Sequence, residues 1–256
     1  MARVITNLGE DGKLPKNTEA EYAELSFMLK SPVGMEPLGV DEEEQAEVPD
    51  LGFTANLSVY EEYMNPGNTT EYLTLVNVDN KLAPDDAPQD LMELSENIIA
   101  EGRPSLLMRK NAAMSMEAMF IELRAAGYEE IGITSAYRSY SYQENLFNYY
   151  LKQHNNDYEY VSTFSNPPGS SEHQTGLSAD FDNLDISFAQ ELEYTWLRHN
   201  CWKFGFVLRY PEDKVEITGI SFEPWHYRYV GLYHAKRMYD SNLCLEEYLA
   251  ELGAEA

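Results

Sequence analysis

The sequence predicts an α+β fold, and three observations predict it. Segments with helical spacing and short β-prone runs both occur, but they do not alternate regularly as a doubly wound sheet would require. At 256 residues the chain is long enough for one substantial core with an appended segment. Hydrophobic residues make up 43% and charged residues 24%, the composition of a folded globular chain.

The elements follow in order. The run Tyr72–Asn77 is rich in β-formers and ends at the turn pair Asp79–Asn80, which predicts a strand that opens the folded domain. Leu107, Ala112, Met116, Met119, Phe120 and Leu123 recur near the helical period and Gly127 follows them, so a helix is predicted from Leu106 to Ala126. A strand is predicted over Ile131–Tyr137. A helix follows over Ser141–Tyr150, with Ser141 as its cap and Glu144 completing the capping pattern. Pro167–Ser171 reads as a loop that delivers Glu172 and His173, and Phe188–Phe204 has helical spacing before Gly205. Strands over Phe206–Arg209, Glu216–Ile220 and His226–Val230 precede two closing helices, Leu232–Met238 and Leu245–Leu252.

Residues 1–68 differ in character. They carry the acidic run Asp41–Glu44, scattered prolines and little periodicity, so they are expected to form an arm or linker ahead of a domain spanning 69–256. Within the arm, Glu19–Lys30 has the spacing of a short helix.

Charge and length exclude some partners. Against 44 Asp and Glu stand 18 Lys and Arg, a net charge of -26 that repels nucleic-acid phosphates. No run approaches the ~20 apolar residues of a membrane span, and Met1–Asn7 does not begin a signal peptide. Cys201 and Cys244 are too few for a four-sulfur metal site; their apolar settings favour buried thiols over a disulfide.

Two histidines and one aspartate offer metal-ligand chemistry. His173 and Asp180 lie seven positions apart, and His226 follows later in Glu223-Pro224-Trp225-His226. Nitrogen and carboxylate donors suit Zn²⁺, and three protein ligands leave a fourth position open for water, the arithmetic of a catalytic site. The spacing alone also allows a hydrogen-bonded loop histidine, a capping aspartate and a core histidine. The other histidines, His154, His199 and His234, read as structural or exposed.

The surrounding letters carry more. Ser135-Ala136-Tyr137-Arg138-Ser139 with Gln143, Ser171-Glu172-His173-Gln174-Thr175-Gly176-Leu177 with Asp180, and Glu223-Pro224-Trp225-His226-Tyr227-Arg228-Tyr229-Val230 stand in one order along the chain. Together they resemble the VanY-type D-alanyl-D-alanine carboxypeptidases, within the wider zinc peptidase group of D-Ala-D-Ala dipeptidases and L,D-carboxypeptidases. The resemblance runs from about Tyr72 to Leu252. It implies a small, mostly antiparallel sheet flanked by helices with zinc in the cleft, a fold shared with the hedgehog signalling domain. It implies zinc ligation by His173, Asp180 and His226, with Glu223 as general base. It also implies a substrate pocket lined by Arg138, Gln143, Ser171 and Tyr210, with Arg138 steadying the oxyanion as well. Tyr137, Trp225 and Tyr227 are expected to pack around and orient His226. Glu172 is the competing acid, but on an extended segment its side chain is expected to point away from its neighbour His173. Ser178 and Ala179 stand where the family shows alanine and another apolar residue.

The expected activity is removal of the terminal D-amino acid from a peptidoglycan stem peptide, by a monomer acting outside the cell or in its envelope. The alternatives are an L,D-carboxypeptidase acting on tetrapeptide stems and a silent wall-binding or signalling module of the same fold.

Overall fold

The structure, a computed structural model, describes residues 51–255 apart from 163 and 183. The helix expected at Glu19–Lys30 and the acidic run lie outside the described residues. Residues 51–68, assigned above to the arm, belong to the folded body. Leu57 and Met64, the latter in the one-turn helix α1 (Glu61–Met64), are buried in the main core. The buried Glu122 carboxylate accepts the backbone N–H groups of Thr54 and Ala55 at 2.6 and 2.9 Å. Few periodic apolar positions mark this stretch, because it is held by backbone hydrogen bonds as much as by side chains.

A two-stranded sheet pairs β1 (Leu91–Glu93) with β2 (Leu107–Arg109) antiparallel, and α2 (Lys110–Ala125) leaves directly from β2. The predicted helix therefore begins four residues late: Leu107 pairs with Glu93, and the Arg109 N–H donates to the Gly176 carbonyl at 2.8 Å. Helix α2 buries Met116, Met119, Phe120 and Leu123, as its spacing requires.

The main sheet has four antiparallel strands in the order β3 (Ile133–Ser135), β4 (Ser178–Phe181), β6 (His226–Tyr229) and β5 (Phe206–Leu208). Side chains alternate along a strand. Ala179 and Phe181 of β4, with Tyr227 and Tyr229 of β6, enter the hydrophobic core, where Phe120 stacks on Phe181 at 5.8 Å. The other face then carries Ser178, Asp180, His226 and Arg228, all buried.

Helix α3 (Tyr140–Gln153) is capped by Ser139, whose Oγ accepts from the Tyr142 N–H at 3.1 Å. Ser141 falls inside the first turn and is not the cap. The one-turn helix α4 (Tyr158–Val161) follows. The predicted helix Phe188–Phe204 is divided into a 3-10 turn at Ile186–Gln190, α5 (Leu192–Asn200) and a second 3-10 turn at Cys201–Phe204.

Two predicted strands are absent. Tyr72–Asn77 runs out of a 3-10 turn, and its carbonyls at Tyr72 and Thr74 accept from the Arg228 guanidinium at 3.0 and 2.9 Å instead of from a neighbouring strand. Glu216–Ile220 instead forms most of a helical turn, α6 (Val215–Thr218), closed by Gly219 in the left-handed region.

The closing helices α7 (Leu232–Ser241) and α8 (Leu245–Glu255) form a second cluster around Val207, Val230, Met238, Leu245 and Tyr248. His234 is structural: Nε2–H donates to the Thr69 carbonyl at 3.1 Å, and Nδ1 accepts the Tyr248 hydroxyl at 2.8 Å. Cys201 and Cys244 are free, buried thiols, pushed up to about 12 by burial. Among the described residues no helix is long and apolar enough to cross a membrane.

Candidate active site

Register creates the centre of the site. Asp180 of β4 and His226 of β6 are direct cross-strand partners, so both side chains rise from the same face of the sheet. His173 comes from the 3-10 turn Glu172–Thr175 just before β4. That turn closes at Gly176, with φ of 67°, where an added Cβ would lie 2.9 Å from Leu91 Cδ2 and 3.1 Å from Arg109 Cγ. The left-handed backbone there favours glycine, and any Cβ would press on these two side chains.

One donor atom from each of His173, Asp180 and His226 lies within 4.8 Å of the other two, all in full burial. His173 Nδ1 stands 2.7 Å from the Ala136 carbonyl, which can only accept, so Nδ1 bears the proton. The lone pair of Nε2 therefore faces Asp180 Oδ2 at 3.1 Å. His226 Nδ1 stands 2.9 Å from Asp180 Oδ1, without the alignment of a hydrogen bond. Ligand atoms of two histidines and one aspartate thus converge on one buried point, an arrangement that could hold a metal ion.

The carboxylates gather strong negative potential around this point. Burial disfavours charge on His226, but the Asp180 and Glu172 carboxylates outweigh it and push its pKa up to about 10. Burial, reinforced by the Arg138 guanidinium, holds His173 below its ordinary value and so neutral. For Asp180 burial acts in the opposite sense, but the two imidazoles keep it ionised. Two imidazoles and a carboxylate with no cysteine match the donor set of an open zinc site.

Glu223 is buried beside this point, with Oε2 3.8 Å from His226 Nδ1. Its backbone is fixed on both sides: its N–H donates to the Tyr210 carbonyl at 3.1 Å, and its carbonyl accepts from the His226 N–H at 3.3 Å. Arg138 is buried, lines a cavity of about 260 Å³ and donates from Nη2 to Ser171 Oγ at 3.1 Å. Its backbone N–H donates to the His173 carbonyl at 3.1 Å, which joins the cavity wall to the metal cluster. Gln143, in the first turn of α3, donates from Nε2 to the Asn166 carbonyl at 2.6 Å and leaves Oε1 buried without a partner. The amide thus presents an acceptor. Tyr210 lies with its ring 5.0 Å from that of His226.

The residues expected to pack around and orient His226 take the following places. Tyr227 alternates to the opposite face of β6 and packs on Phe181, Trp225 joins the main core, and Tyr137 lines the Arg138 cavity. Around the His226 imidazole stand Tyr210, His173 and Glu172. Glu172 does not point away, because it starts a 3-10 turn and not an extended segment. Its Oε2 lies 3.6 Å from His226 Nε2, and its Oε1 meets Arg209 Nε at 2.8 Å and Arg228 Nη1 at 3.0 Å. Burial opposes its ionisation, but Arg209 and Arg228 hold its carboxyl well below the usual range. Ser178, the departure noted in the second motif, donates to Glu172 Oε2 at 3.3 Å. Arg209, Arg228 and Ser178 were not singled out as site residues. The signal was period two, since Ser178 and Arg228 each lie two positions from a ligand on the same strand.

Comparison with known proteins bears on the same residues. The model of the VanY family, D-alanyl-D-alanine carboxypeptidase, matches residues 105–232, half of the 256-residue chain. A D-alanyl-D-alanine carboxypeptidase of Enterococcus faecium is 34% identical over 207 residues, which cover 79% of this chain and 64% of that relative's length. Among solved structures, the LdcB LD-carboxypeptidase superposes with a TM-score of 0.65 at 33% identity, covering 72% of this chain and 88% of LdcB. A mutant of the vancomycin resistance D,D-pentapeptidase VanY in complex with Zn(II) gives a TM-score of 0.57 at 34% identity, covering 70% of this chain and 99% of that one. The matched span contains all three members of the metal cluster together with Arg138, Ser171, Tyr210 and Glu223, and the chain belongs to the VanY family of D-alanyl-D-alanine carboxypeptidases.

Proposed function

We propose that this chain is a zinc-dependent D,D-carboxypeptidase that removes the terminal D-alanine from peptidoglycan stem peptides. The observation that carries the reading is the convergence of His173, Asp180 and His226 on one buried point, with Glu223 beside it and Arg138 at the adjoining cavity. The Zn(II) complex of the related VanY supports zinc as the ion. Zinc held there would supply a Lewis acid toward water and the scissile carbonyl. Glu223 takes the proton of the attacking water and returns it to the leaving amine of D-alanine. Arg138 receives the substrate's terminal carboxylate and steadies the developing oxyanion, with Ser171 fixing the guanidinium. Gln143 Oε1 accepts a substrate N–H, and the Tyr210 ring walls the site beside His226. All these groups come from one chain, which supports a monomer, and the substrate places its action in the cell envelope or outside the cell.

The likeness to LdcB favours a second reading, cleavage of tetrapeptide stems by L,D specificity. Incubation with pentapeptide and tetrapeptide stems, followed by mass analysis, separates the two. Loss of one alanine from the pentapeptide alone is expected. Loss from the tetrapeptide would assign L,D specificity, and an unchanged pair of substrates would overturn the carboxypeptidase reading.

A further inference from the structure

Beneath the metal cluster lies a closed group of four charged side chains: Glu172, Arg209, Arg228 and Glu246. Arg209 donates from Nε to Glu172 at 2.8 Å and from Nη1 and Nη2 to Glu246 at 2.9 and 2.7 Å, a bidentate pair. Arg228 Nη1 lies 3.0 Å from the same Glu172 oxygen that receives Arg209. Two cations and two anions balance. The Glu172, Arg209 and Arg228 side chains are at most 1% exposed, and Glu246 is 13% exposed. Burying charges this deeply costs several kcal/mol per ion before pairing, and a well-packed apolar group would often serve stability as well. Such a network therefore calls for a further role.

Its position under His226 supplies one. With Nδ1 of His226 turned to Asp180, ligation through Nδ1 would leave the proton on Nε2, and Nε2 faces Glu172 Oε2 at 3.6 Å, an electrostatic contact longer than a hydrogen bond. Glu172 cannot swing away, because Arg209 and Arg228 hold its other oxygen. Arg209 also lies over the Tyr210 ring at 4.7 Å, and that ring stands 5.0 Å from the imidazole of His226. Both routes to the His226 ring pass through Arg209, and Arg209 is clamped by Glu246 in the first turn of α8. Glu246 lies beyond residue 232, where the family match ends.

We infer that Glu172 is a positioning residue for His226, and that the C-terminal helix α8 sets the metal affinity of the site through Glu246, Arg209 and Glu172. The inference rests on the reading of His226 as a zinc ligand. It predicts that zinc affinity falls when the chain of contacts is cut far from the metal, even though Glu246 touches no ligand.

The test uses the full chain, with zinc dissociation constants from chelator competition, melting temperatures of the metal-free protein and the visible spectrum of the Co²⁺-substituted protein. Glu172→Gln is expected to weaken zinc about 10- to 100-fold, the usual effect of losing a partner behind a ligating histidine. Glu246→Ala is expected to weaken it about three- to tenfold in the same direction, and both should shift the cobalt spectrum. Lys214→Gln removes a different polar contact of α8, the 2.9 Å pair with Glu247, but has no route to His226 and should leave zinc affinity within about twofold of wild type. If Glu172→Gln does not fold, the comparison of Glu246→Ala with Lys214→Gln decides. Unchanged affinity in Glu246→Ala, or equal weakening by Lys214→Gln, would reduce the network to helix docking and overturn the inference. Wild type that binds zinc tightly while the variants match it fails this inference alone; wild type that binds no zinc fails the reading of His226 as well.

Discussion

Glu223→Gln is expected to keep its full complement of metal and to lose at least about a hundredfold in kcat, the lower bound for removing a general base. The amide fills the volume of the carboxylate, and the backbone at this position is fixed by the Tyr210 carbonyl on one side and the His226 N–H on the other. The side chain therefore stays in place and only its capacity to take a proton is lost. The competing acid behaves differently. Glu172 is gripped by Arg209 and Arg228 and held ionised well below the usual carboxylate range, so it is a poor proton acceptor. Glu172→Gln should act first on metal affinity, whereas Glu223→Gln should act on turnover with metal retained. Single-turnover kinetics with measured zinc content separate the two. Wild-type turnover by Glu223→Gln would remove Glu223 from the role of base.

The second large effect is expected at Arg138. Replacement by lysine keeps the charge but loses the planar fork, and a hydrogen bond to a charged group contributes about 1.5–3 kcal/mol. The corresponding loss in kcat/KM is roughly ten- to hundredfold, and Arg138→Ala should lose more, since Ser171 then also lacks its donor. A substrate with an amidated C-terminus gives the sharper comparison. Wild type should discriminate strongly against it, and Arg138→Ala should discriminate much less. Gln143 turns one amide donor to the Asn166 carbonyl and leaves its Oε1 buried without a partner. Equal discrimination by wild type and Arg138→Ala would assign carboxylate recognition to Ser171 or Tyr210.

Much of this site was legible in the letters because its ligands are tied to local pattern. Helix α2 follows its apolar period, and β6 follows alternation, so His226 lands opposite Asp180 once the strands pair. The departures have separate physical causes. Tyr72–Asn77 has the composition of a strand, but its carbonyls are taken by Arg228, a residue 154 or more positions away, which no local window contains. Ser139 and not Ser141 caps α3, a shift of two residues that local propensity does not resolve. An extended backbone would turn Glu172 away from the site, but a single 3-10 turn brings it beneath His226. Glu246 and Arg209, 37 positions apart, were invisible for the same reason as Arg228: buried ion pairs are specified by tertiary packing.

The most direct test of the account is the metal content of the full chain, purified without chelator, as wild type and as Asp180→Ala. Asp180 is the carboxylate that both imidazoles face, so its removal leaves two neutral nitrogens to hold a divalent ion. Elemental analysis should find one zinc per wild-type chain and little or none in Asp180→Ala, with carboxypeptidase activity following the metal. Full activity in a metal-free wild-type preparation, or equal zinc in the two proteins, would contradict a catalytic centre built on His173, Asp180 and His226.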